Sequence, residues 1–279
     1  MTGLAAQIAF RARNAKQVSL AAFFAATLHF GVAPCAKAQH IVASATTPAV
    51  STAAEPVRHE PSRIVIGFMG GRVRRDSPDR NEVRLAAKLR EEYSDGAYVD
   101  TYENAHWRDA RAKILSLLDA DHDGKLSAEE KQKARIILFG HSWGASATVT
   151  LARDLRDLGI PVLLTVQVDS VQKMGQQDDI IPANVAEAMN FFQPDGLLHG
   201  RKLIRAEDPS KTRILGNEEL SYKHTALSCK GYPWHQRVFA KEHMYIECDP
   251  QVWSQIESLI RSKFPQVQAE ANGKAAHGN

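Results

Sequence analysis

A serine stands between two glycines in the segment Gly140-His141-Ser142-Trp143-Gly144, directly after the apolar run Ile136–Phe139. Small residues at helical spacing follow, so the pattern predicts a strand, a sharp turn and a helix. In this setting a serine hydroxyl is exposed at the end of a strand and can act as a nucleophile. We therefore predict that Ser142 is a catalytic nucleophile. The alternative is a capping serine in an ordinary strand-to-helix turn.

A second motif lies upstream, at Asp119–Glu130, and matches D-x-D-x-D-G-x5-E, the EF-hand calcium loop, at every specified position. Such a loop offers carboxylates, one main-chain carbonyl and a water-holding group, which are the oxygen ligands that Ca²⁺ prefers. We expect a structural calcium site there, the alternative being an acidic surface loop. The predicted ligands are Asp119, Asp121, Asp123, Lys125, Ser127 and Glu130.

The serine turn after its apolar strand resembles the α/β-hydrolase superfamily, and the likeness extends more loosely over residues 63–263. A calcium-type loop before the turn also resembles a group of secreted bacterial hydrolases. The resemblance implies that an acid and then a histidine follow the serine along the chain. It further implies an acyl-enzyme mechanism with an oxyanion hole.

The acid is expected at the end of a later strand. Asp169 directly follows the apolar segment 162–168, and ligands of open α/β sheets bind at the carboxyl ends of the strands. Many members of the family place the acid one strand later, which points to Asp208. We favour Asp169, because its strand is far clearer.

The base is expected to be a histidine in a loop before the last helix, which Asp249 and Pro250 begin as cap and first residue. His243 has this position. Its competitors are His199, His224 and His235, whereas His141, beside the nucleophile, is expected to pack rather than to catalyse.

The oxyanion hole needs two N–H groups directed at a developing negative charge. One is expected from Trp143, the residue after the nucleophile. The other is expected from the loop after the first strand, at Gly70 or Gly71. The alternative is a plain Gly-Gly turn.

Strands and helices alternate between residues 63 and 264, which predicts one domain of class α/β with a mostly parallel, doubly wound sheet and helices on both faces. Asn81 is a candidate cap for a helix over 81–93, and 128–134 could form a short helix. Between Ser170 and Lys241 the pattern is weak, with strand-like pieces only at 202–205 and 212–215.

The first 38 residues predict a signal peptide, with an apolar run after basic residues and Ala36-Lys37-Ala38 as the cleavage signature; an uncleaved anchor is the alternative. This segment holds four basic and no acidic residues, so its removal changes the formal net charge from +3 to −1. We therefore expect no nucleic-acid partner. Residues 39–62 and 265–279 predict a flexible lead-in and a flexible tail.

Cleavage would leave Cys229 and Cys248, which in an exported protein are expected to form one disulfide, rather than remain buried thiols. Taken together, the sequence predicts a periplasmic or extracellular serine hydrolase of small-molecule esters or lipids, with no stable membrane span. The alternatives are a calcium-binding protein without catalysis on the same scaffold, and a serine peptidase.

Overall fold

The computed structural model describes residues 63–225, 227–234, 238 and 240–264. The predicted signal peptide, lead-in and tail, together with His235, lie outside these residues. Among the described helices, none has the length and apolar character needed to cross a bilayer.

Strands and helices alternate along most of the described chain. The strands are β1 (Arg63–Met69), β2 (Ala97–Glu103), β3 (Arg135–His141), β4 (Val162–Val168), β5 (Ile180–Ile181), β6 (Val185–Phe192), β7 (Arg205–Ala206) and β8 (Arg213–Glu219). The helices are α1 (Asn81–Glu92), α2 (Trp107–Leu118), α3 (Ala128–Gln132), α4 (Trp143–Asp157), α5 (Lys241–Cys248) and α6 (Pro250–Lys263).

Six strands form one sheet in the order β2-β1-β3-β4-β6-β8, and each neighbouring pair is parallel. Successive side chains of a strand point to opposite faces, so a parallel sheet with two apolar faces needs cover on both. In β1, Ile64 and Ile66 pack in the core with α2 and α4, whereas Val65 packs in the core with α1 and α6. The predicted fold class is confirmed.

Strand β6, between β4 and the edge strand β8, is the main element that the sequence pattern did not reveal. Its first half, Val185-Ala-Glu-Ala-Met, is rich in residues that favour helices, and its buried Asn190 interrupts the apolar run. The strand-like piece at 212–215 opens β8, but at 202–205 only Arg205 belongs to a strand, the two-residue β7.

The expected cap of α1 is wrong. Arg80 precedes the helix and makes no capping hydrogen bond with its side chain. Asn81 is the first helical residue, and its side-chain amide donates to the Glu247 carbonyl at 2.6 Å. The Asn81 side chain therefore contacts the distant helix α5, whereas the local pattern predicts that it caps α1.

The predicted disulfide between Cys229 and Cys248 is present, with the two Cα atoms 5.6 Å apart. It closes a loop with a sequence separation of 19, which corresponds to about 3 kcal/mol in the chain-entropy account of disulfide stabilisation. Helix α5 lies inside this loop, so the bond restrains the segment that carries His243.

Candidate active site

Ser142 is the first residue beyond β3 and has a left-handed backbone, with φ 55° and ψ −124°. Such a conformation costs about 1–3 kcal/mol in a residue other than glycine and persists only where neighbouring contacts enforce it. The Ser142 N–H donates to the Val168 carbonyl at 2.9 Å. Its own carbonyl accepts from Ser146 and Val171, each at 3.3 Å. The turn is thus fixed by β4 on one side and by α4 on the other.

Gly144 is required by the close approach of α4 to the sheet. A Cβ atom at this position would lie 2.1 Å from the Phe68 carbonyl oxygen, far inside van der Waals contact. Helix α4 therefore lies directly against the end of β1, and the serine turn is drawn toward the loop that carries Gly70.

Asp169 is the first residue beyond β4, fully buried, and also left-handed, with φ 43°. Its carboxylate accepts from the Gly200 N–H at 2.7 Å and from the Gln193 side-chain amide at 2.9 Å. Its Oδ2 atom lies 2.6 Å from His243 Nδ1. These donors compensate the burial of a negative charge. Gln193 and Gly200 follow β6, so the sequence pattern did not predict these hydrogen bonds to Asp169 either.

Asp208, the alternative acid, lies away from His243. Its carboxylate accepts from Ser210, two residues on, and pairs with Lys211 at 3.7 Å. This is a local turn at the protein surface, and the side chain is 35% exposed.

His243 lies in α5, so its expected position in a loop is wrong. The buried face of this helix is not an apolar stripe, because it holds the polar residues His243 and Glu247 beside Met244 and Ile246. Of the competing histidines, His199 and His224 are exposed.

A cavity of about 280 Å³ opens beside the serine turn and is lined by both Ser142 and His243. Within the part of the chain that the structure describes, the Ser142 hydroxyl makes no hydrogen bond. Such contacts often tighten only when substrate is bound. Apolar groups line much of the cavity, namely Val73, Trp143, Val171, Leu198, Ala240 and Met244.

The predicted oxyanion residues Gly70, Gly71 and Trp143 line the same cavity. Trp143 begins α4, so its N–H has no partner inside the helix. A Cβ atom on Gly70 would lie 3.2 Å from that of Ser142, which places the glycine loop against the serine. Asn104, which the sequence did not single out, is buried and donates to the carbonyls of Met69 and Gly71. It thereby fixes the loop.

His141 packs beside Ser142, as expected, but inside a polar cluster. Its Nδ1 lies 3.3 Å from the Glu247 carboxylate and its Nε2 lies 3.2 Å from the His243 carbonyl. Arg80 pairs with Glu247 at 2.9 Å, and Glu82 is fully buried nearby. Burial lowers the pKa of His141 well below its usual value and raises the pKa of Glu82 well above its own.

In the acidic loop, oxygens of Asp119, Asp121 and Asp123 lie within 4.8 Å of one another. Main-chain N–H groups hold these side chains: Gly124 donates to Asp119 (3.1 Å), Asp123 to Asp121 (3.2 Å) and Lys125 to Asp123 (2.7 Å). The Asp119 Oδ1 atom is buried and has no hydrogen-bond partner among the described residues. Three converging carboxylates and one unpartnered oxygen fit a Ca²⁺ ion.

Glu130 is placed outside that group of three. Its carboxylate accepts from the Ala120 N–H at 2.8 Å and from the Ser127 N–H at 2.8 Å, so it joins the two ends of the loop. Ser127 caps α3 and forms a capping box with Glu130.

No family model and no curated protein matches the sequence. Among solved structures, a thioesterase of prodiginine biosynthesis from Streptomyces coelicolor is 12% identical, with a TM-score of 0.37, over 78% of this chain and 96% of its own. A cutinase-like protein from Cryptococcus sp. is 16% identical, with a TM-score of 0.38, over 72% and 94%. An acetylxylan esterase is 10% identical, with a TM-score of 0.35, over 73% and 98%. Similarity this slight assigns no chemistry.

Asp169→Asn is expected to lower kcat for ester hydrolysis by roughly two to four orders of magnitude, because the amide cannot stabilise a charged imidazole. The matched change Asp208→Asn, at the surface, is expected to leave kcat within about twofold. Steady-state kinetics with an activated ester measure both, and thermal melting controls for folding. Loss of activity in Asp208→Asn with retention in Asp169→Asn would assign the acid to the later position.

Proposed function

We propose that the protein is an exported serine hydrolase that cleaves carboxylic esters with small acyl groups. The observation that carries the proposal is the contact of 2.6 Å between His243 Nδ1 and Asp169, beside a cavity shared by His243 and Ser142. A histidine oriented by a buried carboxylate, next to a serine on a strained turn, is the arrangement that activates a hydroxyl nucleophile.

The mechanism follows from these positions. Asp169 holds Nδ1, which leaves Nε2 to take the proton of the Ser142 hydroxyl as its oxygen attacks the ester carbonyl. N–H groups of Trp143 and of the Gly70–Gly71 loop would stabilise the oxyanion. The alkoxy group leaves with a proton from His243, and water then hydrolyses the acyl-enzyme by the same steps.

The size and lining of the cavity support a small, uncharged acyl group. Its volume of about 280 Å³ is at the lower end of the roughly 300–1,000 Å³ that is typical of ligand pockets. The charged residues of the wall, Arg80 and Glu247, are paired with each other, so the wall offers no uncompensated charge to a substrate.

Export is supported by the disulfide, because such bonds persist in oxidising compartments and are rare in the cytosol. The predicted leader at residues 1–38 agrees with this proposal. The periplasm and the extracellular space are both oxidising compartments in which such a bond persists.

We also propose that Ca²⁺ binds the loop, held by carboxylates of Asp119, Asp121, Asp123 and Glu130, the Lys125 carbonyl and a water at Ser127. The ion would relieve repulsion among the clustered carboxylates, and its role is structural. Helix α3 ends at Gln132 and β3 begins at Arg135. An ion that orders the loop would therefore also restrain the start of the strand that carries the proposed nucleophile.

Ser142→Ala is expected to reduce ester hydrolysis at least about a thousandfold and to abolish labelling by a fluorophosphonate, because the attacking oxygen is lost. Peptide mapping of the labelled wild-type protein should find the adduct on Ser142. Ser146→Ala, one turn along α4 and outside the cavity, is the matched control and should label normally. Wild-type protein that hydrolyses no ester and takes no label would instead support a non-catalytic role.

Acetyl and butyryl esters of one chromogenic alcohol are expected to be cleaved with higher kcat/KM than the dodecanoyl ester, because the cavity cannot enclose a long chain. Peptide substrates of matched reactivity test the peptidase alternative. A clear preference for dodecanoyl esters, or for peptides, would refute the proposed substrate class.

Chelation of Ca²⁺ is expected to lower the melting temperature. Binding to the folded state alone stabilises it by about 2.7 kcal/mol at a hundredfold excess over the dissociation constant. Asp121→Ala should remove this response, whereas Asp95→Ala, at an exposed site, should retain it. Titration calorimetry gives the stoichiometry independently of activity. Unchanged melting, together with no heat of binding at millimolar Ca²⁺, would exclude the site.

A further inference from the structure

Four ionisable side chains form a buried cluster behind the serine turn: Arg80, Glu82, His141 and Glu247. Glu82 is fully buried, and His141 and Glu247 are each 2% exposed. One ligand atom from each of Glu82, His141 and Glu247 lies within 4.8 Å of the other two. None of the four belongs to the proposed triad.

The hydrogen bonds of His141 are incomplete without an additional proton. A carbonyl oxygen only accepts, so Nε2 of His141 donates its proton to the His243 carbonyl at 3.2 Å. In the neutral ring, Nδ1 then presents a lone pair to the Glu247 carboxylate at 3.3 Å. Both carboxylate oxygens of Glu82 also lack a donor among the described residues. Without an additional proton, acceptor atoms of His141, Glu82 and Glu247 would therefore face one another.

The sum of the formal charges in the cluster also indicates one additional proton. Among the described residues, Arg80 carries one positive charge against two carboxylates, which leaves one negative charge uncompensated in a buried site. One proton makes the sum zero, whereas a divalent metal ion would leave a positive charge. Isolated buried charge is costly, so the proton is the simpler solution. The raised pKa values of Glu82 and Glu247, both caused first by burial, agree with it.

We propose that Glu82, Glu247 and His141 share one proton and that this neutral cluster, with Arg80, positions His243 for catalysis. Glu247 lies one helical turn after His243 in α5, and His141 directly precedes Ser142. The cluster thus joins the helix of the base to the strand of the nucleophile. All members are positioning residues, and this second half of the proposal rests on the proposed function.

Loss of the proton would set two carboxylates against each other between α1 and α5. Among the described residues, the ionisable groups around these carboxylates are Arg80 and Glu82 at the start of α1, His141 from β3, and His243 and Glu247 from α5. Tyr232 contributes its ring, which lies 4.0 Å from the Arg80 guanidinium carbon, and its hydroxyl, whose pKa is raised by burial and by Glu247 and Glu82. Among the described groups, the single positive charge of Arg80 would then face two negative charges, and α5 would be pushed away from Ser142.

Glu82→Gln supplies a permanent donor of the same shape and cannot ionise. Because folding raises the pKa of Glu82 above its ordinary value of 4.5, wild-type stability falls as the pH rises from that value through the raised pKa. The melting temperature of Glu82→Gln relative to wild type should therefore increase over the same range. The alkaline fall of kcat should move upward by about one pH unit or more, with KM little changed. Glu91→Gln, exposed on the same helix, is the matched control.

Identical pH profiles of melting and kcat in wild type and Glu82→Gln would overturn the proposal. So would a stoichiometric transition metal, found by elemental analysis in wild type and lost in Glu82→Gln. If that variant fails to fold, carbon-13 NMR of labelled wild type decides the matter: a glutamate carboxyl still protonated at pH 7 supports the shared proton, and titration of every glutamate near its ordinary pKa refutes it. Wild type without esterase activity would refute the proposed function, while melting and NMR still test the proton.

Discussion

The parallel pairing of β3 with β4 is the constraint on which the site depends. The register places His141 opposite Val168, so both strands end level at the same edge of the sheet. The next residue of each strand is Ser142 in one case and Asp169 in the other. A strand slipped by one residue would turn its side chains to the opposite face. The distance between Ser142 and Asp169 is thus set by main-chain hydrogen bonds in the core, before any side chain contributes.

His243 is brought to this edge from outside the sheet, by a helix that follows the last strand. Three kinds of contact hold it: the Asp169 carboxylate on its ring, the His141 ring on its main-chain carbonyl, and the disulfide at the end of its helix. Because these contacts reach different atoms of α5, they restrain both the position of the helix and the rotation of the imidazole. The polar groups among them are buried and paired, which makes the arrangement rigid.

The sequence allowed prediction of the elements whose local pattern agrees with their final environment. The apolar runs of β3 and β4, and the capped start of α6 at Asp249, are of this kind. Strand β6 was missed because its Ala, Glu and Met favour a helix, and only its place between β4 and β8 makes it a strand. The residues that donate hydrogen bonds to Asp169 follow β6, so these contacts were not predicted either. The charge cluster around Glu82 joins residues that are far apart in the chain, and local sequence spacing does not predict such contacts.

Two residues with left-handed backbones, Ser142 and Asp169, stand at the two strand ends that carry the proposed chemistry. At both positions glycine would adopt the same backbone without cost. Selection for stability alone would therefore favour glycine at position 142, whereas glycine at position 169 would leave the buried N–H groups of Gln193 and Gly200 without their acceptor. A homologue with glycine at position 142 would have a less strained turn and would lack the hydroxyl on which the proposed hydrolysis depends. Side chains other than glycine at these two positions therefore indicate selection for what the side chains do, at the cost of a strained backbone.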